Sequence, residues 1–75
     1  MMRKIDIAAI DLAADMVMAF HVNKEKEWSP DRTINNYPEF RVHDQDELYL
    51  MAQMLFPVVL VRYAAGLPLV EDEHG

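Results

Sequence analysis

The stretch 44-DQDELYLMAQMLFPVVLVRYAAG-66 decides how this chain folds. Its opening, Asp44-Gln45-Asp46-Glu47, puts an acidic cap three residues ahead of a glutamate able to close a capping box, so a helix is predicted to start there. From Leu48 onward it carries Tyr49, Leu50, Met51, Leu55, Phe56, Val58, Val59, Leu60 and Val61, and Gln53 is the one amide before Arg62. Apolar groups therefore surround nearly the whole circumference, which a helix lying on a solvated surface does not show.

Pro57 falls inside this run. It lacks an N–H and its ring presses on the carbonyl of Gln53, so the helix is expected to be kinked or split there. Val58 to Val61 alone is β-branched enough to suit a strand as well. Gly66 stands where a helix-ending glycine belongs, and Pro68 just beyond it cannot continue the helix. The second helix is thus placed over about residues 44–65, with Glu71, Asp72, Glu73, His74 and Gly75 as a solvated acidic tail.

Upstream, about residues 6–24 hold no proline or glycine and are rich in alanine, leucine and methionine, which predicts a first helix. Asp6 suits an N-cap, Ile5 and Ile10 suit a hydrophobic staple, and Lys24 and Lys26 suit the negative end of the helix dipole. At 100° per residue, Ile5, Ala9, Ile10, Leu12, Ala13, Met16, Val17 and Phe20 share a broad face expected to be core. Asp11 and Asp15 lie one turn apart on the other side, near Ile7, Met18 and Val22.

Between them, residues 25–43 break the pattern with Pro30, Pro38, Asn35 and Asn36, and read as an ordered connection. Ser29-Pro30-Asp31 has the order of N-cap, first helical residue and dipole-matched acid, which predicts a short helical turn. Phe40 to Val42 could extend briefly, without a partner for a sheet. The expected fold is all-α: two main helices in an antiparallel, hairpin-like arrangement, a short helical turn in the connection, and a second helix kinked or split at Pro57. At 75 residues this is a single small domain.

The absence of cysteine removes disulfides and thiol nucleophiles. Ser29, the one serine, precedes a proline without a glycine elbow. His21, His43 and His74 form no HxH, HxxxH or HExxH spacing, so neither a metal nor any other cofactor is expected. Both glycines come too late for a phosphate loop. The paired acids Asp11 with Asp15 and Asp46 with Glu47 are accounted for by solvation and dipole matching. These exclusions predict a protein that is not an enzyme.

A formal charge of −6 repels phosphate backbones, so direct nucleic-acid binding is not expected. Leu48 to Val61 is shorter than the ~20 residues a membrane span needs, and the first helix carries three aspartates. No uncharged export segment opens the sequence, so the expectation is a cytoplasmic protein without a membrane partner.

A small chain without disulfides or metal has little margin of stability, which favours a protein partner, self-association as a homodimer, or both. The leading expectation is a non-enzymatic protein-binding module, a small regulator or inhibitor that occupies a surface of a larger protein. Its size and acidity would suit a phage or mobile-element accessory protein acting on a host defence enzyme, though no residue identifies one. The alternatives are an obligate homo-oligomeric assembly protein and an acidic mimic of nucleic acid. Candidate partner-binding residues are the acids Asp11, Asp15 and Glu39, the loop aromatics Trp28 and Tyr37, and Met51 and Phe56 of the second helix.

Overall fold

The computed structural model describes residues 3–68. Helix α1 spans Lys4–Met16 and continues without a break into a π-helical segment, Val17–Val22. A short helix α2, Asp31–Ile34, and a 3-10 turn, Pro38–Phe40, lie in the connection, and helix α3 spans Gln45–Ala64. No strand occurs among the described residues. The fold is all-α, with two long helices packed against each other and the helical turns between them.

The start of α1 differs from expectation by one turn. Arg3 is the N-cap, and Asp6 is the third helical residue, whose carboxylate accepts the Arg3 backbone N–H at 3.0 Å and the Arg3 guanidinium at 3.1 Å. That places a negative charge where four amide N–H groups point out of the helix. The guanidinium bond holds the Asp6 carboxyl below the usual carboxylate range. With the cap moved to Arg3, Ile5 and Ile10 are no longer at staple positions.

The far end also stops early. Asn23 donates to the Met18 carbonyl at 2.8 Å and Glu25 to the Ala19 carbonyl at 2.8 Å, wider steps than the four-residue α spacing. Lys24 then adopts φ of 53°, a left-handed conformation that ends the helix in place of continuing it.

The connection retraces α1 from top to bottom. The Thr33 hydroxyl donates to the Asp15 carboxylate, the Tyr37 hydroxyl donates to Asp11, and Lys4 pairs with Glu39 at 3.2 Å. Ser29 is not the N-cap expected of it: Pro30 takes that position and α2 starts one residue later, while Ser29 Oγ, one place further out, accepts the Asp31 N–H at 3.3 Å.

Because the connection returns the chain to the foot of α1, α3 starts there and climbs beside it. Arg3 lies within electrostatic reach of Glu47, Asp6 and Ile10 line a groove with Met51, Met54 and Leu55, and His21 meets Tyr63 edge-on at 6.0 Å. These neighbours advance in step, so the two long helices run in the same sense and not in the antiparallel sense of a hairpin. The connection, not α3, is the antiparallel neighbour of α1.

Pro57 does not divide α3, which continues through it from Gln45 to Ala64, so Val58 to Val61 is helix. The carbonyl of Gln53 loses its donor at Pro57, but both residues lie on the solvent side, where water can serve the free carbonyl. Asp44 is the N-cap residue as expected, but its side chain makes no cap bond and the capping box expected with Glu47 does not form. At the other end Gly66, with φ of 74°, donates to Tyr63 at 3.1 Å, and Leu67 donates to Arg62 at 2.9 Å. Those two bonds form a Schellman motif.

The core joins Leu12, Met16 and Val17 from the first helix to Ile34 from α2 and Leu48 and Val59 from α3. Ala8, Ala9, Ala13 and Ala52 fill the rest, and side chains that small let helix backbones approach closely. Phe20, expected in the core, is exposed and packs edge-on against Trp28 with ring centroids 5.0 Å apart. Ile5 and Ile10 are half-buried.

Candidate interaction surface

Three of the residues singled out for partner binding bond to other parts of the chain. Asp11 and Asp15 lie on the side of α1 that the core leaves free, one turn apart, and receive the hydroxyls of Tyr37 and Thr33. Glu39 pairs with Lys4. Burial, the bond to Asp11 and the charges of Asp11 and Glu39 push the Tyr37 hydroxyl up to about 12, so it stays a neutral donor. The structure thus brings Asp11, Tyr37 and Glu39 together as a seam between connection and helix.

Trp28 is half-buried against the core and shields one flank of Phe20. Phe56 is half-buried on the core side of α3. Met51 is half-buried as well, but it reaches the surface in the groove between α1 and α3.

What the candidate set lacks is the outward face of α3. Only Leu48, Ala52 and Val59 of its 20 residues are fully buried. Leu50, Met54, Val58 and Val61 are 58, 71, 56 and 68 % exposed. Their spacing of four, four and three residues keeps them within a quadrant of the helix, and exposed Pro57 lies in the same stripe. The four side chains offer on the order of 500 Å² of apolar surface, near the upper end for the largest patch of a soluble monomer.

A groove borders the stripe on each side. One, about 310 Å³, lies against α1 and is lined by Ile10, Met51, Met54 and Leu55 with Asp6 at its edge. The other, about 420 Å³, lies against α2 and is lined by Pro30, Ile34, Asp46, Tyr49, Leu50 and Gln53. The stripe is thus a ridge between two furrows, the relief into which the side chains of another helix pack.

The ridge was present in the sequence as the spacing 50, 54, 58, 61. A helix apolar on all sides does not reveal which side its own domain covers, and that depends on where α1 and α2 lie. By length and composition α3 also meets the criterion of a membrane span, with a mean hydropathy of 1.2. The helix is longer than the stretch Leu48 to Val61 suggested because it includes Asp46, Glu47 and Arg62. Among the described residues no group of three histidine, aspartate or glutamate side chains is placed to hold a metal ion. No family model matches the chain, and no curated protein or solved structure is significantly similar to it.

Proposed function

We propose that this chain is a non-enzymatic protein-binding module, a small regulator or inhibitor that acts by occupying a surface of a larger protein, and that it docks through the outward face of α3. The observation that carries this reading is the exposed ridge of Leu50, Met54, Val58 and Val61. An apolar patch of this extent lies at the upper end of what soluble monomers carry, and patches of that size bordered by polar groups are often functional contact surfaces. Its unbranched Met54, beside Met51 in the groove, adapts to irregular partner shapes.

The nucleic-acid mimic draws less support, because Asp11, Asp15 and Glu39 are engaged within the chain. A photo-crosslinking residue at Val58, used in the native cell, tests the docking face, with exposed Asn36 on the connection as the control position. Protein adducts at Val58 and none at Asn36 are expected. No adduct at Val58, or equal adducts at both positions, would refute it.

A further inference from the structure

We infer that the resting occupant of the α3 ridge is the α3 ridge of a second copy, crossed antiparallel about a twofold axis near Pro57. This rests on the reading of that face as a protein-docking surface and names the first protein it meets.

The charges that bracket the ridge select both occupant and direction. Asp46 and Glu47 stand at its lower end, and Arg62 stands at its upper end, where Arg62 Nε donates to the Pro68 carbonyl at 2.7 Å and so fixes the guanidinium. In a parallel pair, acids would meet acids and Arg62 would meet Arg62. In an antiparallel pair centred near Pro57, Leu50 meets Val61 of the other copy, Met54 meets Val58, and Glu47 reaches the last turn that bears Arg62. Opposed charges then close both ends, and the two helix dipoles oppose each other favourably.

The area is adequate. The ridge supplies on the order of 500 Å², and the groove lips formed by Met51, Leu55 and Tyr49 bring it towards the ~800 Å² that each partner contributes to a standard interface. The ridge and its furrows supply both halves of the fit, so one surface can serve both copies, as a twofold contact requires. A lipid surface suits the ridge less well. The acids Asp46, Glu47 and Asp6 at its margins repel anionic headgroups, and among the described residues no belt of lysine or arginine surrounds it. A larger protein that takes the same face competes with the second copy, so its apparent affinity falls as the concentration of this chain rises.

The test is sedimentation equilibrium on the full chain and on the charge-exchanged variants Glu47→Arg, Arg62→Glu and the double variant. A reversible dimer is expected. Each single exchange creates two symmetric repulsions and weakens dimerisation at least about tenfold, and the double exchange restores it to within about threefold of the parent. Circular dichroism confirms that each variant keeps its helices, since both positions lie outside the core. A parent chain that stays monomeric up to on the order of 100 µM overturns the inference. So does a dimer that the double exchange fails to restore, and so does a monomer that co-sediments with vesicles of phosphatidylcholine and phosphatidylglycerol. A monomer that still crosslinks a different protein through Val58 removes the second copy and leaves the docking face standing.

Discussion

Replacing Tyr37 with Phe removes one oxygen and tests the seam on which the topology depends. In the parent, the hydroxyl donates to Asp11 across the join between the connection and α1. The substitution leaves a half-buried carboxylate without its donor. Hydrogen bonds to charged groups contribute about 1.5–3 kcal/mol, and solvent at this partly open site keeps the loss near the lower end, about 1.5 kcal/mol. For a domain of this size that is a fall in Tm of about 6–12 °C, read by circular dichroism at one fixed protein concentration.

The same bond has a pH signature. The folded Tyr37 hydroxyl is raised to about 12, first by burial and then by Asp11 and Glu39, against about 10 in an unfolded chain. A raised value means that the folded state favours the neutral phenol. Its contribution is therefore whole below pH ~10 and is lost as pH rises through ~12. The diagnostic quantity is the difference in stability between parent and variant, which should shrink across that window. A Tyr37→Phe melt within about 2 °C of the parent, or a gap that does not narrow above pH ~10, would show that the seam does not hold the connection.

Two further substitutions test the helix ends. Gly66→Ala puts a side chain on a backbone with φ of 74° where no atom would touch the new methyl, so the expected loss of about 1 kcal/mol in denaturant unfolding is purely conformational. Lys24→Gly relieves the opposite case, a lysine held at φ of 53°, and should raise stability by up to about 1 kcal/mol, with no gain counting against that geometry.

The parts of the fold legible in the sequence are those governed by neighbours along the chain. The short turn after Ser29, the start of α3 after Asp44 and its end at Gly66 each depend on a few adjacent residues, and each lies within a residue of its expected place. The start of α1 was less legible, because Asp6 serves the helix from inside by holding Arg3 and not from the cap position. Nothing local reports that Phe20 turns outward to Trp28, since the π-helical widening from Val17 shifts the angular register on which the predicted face relied.

The direction of α3 is the decisive case, because it is set by the connection. Antiparallel neighbours in helical bundles are usually joined by a few residues. Here the chain from Asn23 to Asp44 is long enough to travel back down α1, and it is tied there by Thr33, Tyr37 and Glu39. The acids that read as a solvated face are therefore anchors, and the helix they allow to climb beside α1 packs against α1, its π-helical continuation and α2. An antiparallel α3 would start at the top of α1, out of step with these anchors, and would turn a different set of side chains outward. The exposure of Leu50, Met54, Val58 and Val61 thus follows from the return of the connection, and the surface proposed for docking follows from three polar pairings on the far side of α1.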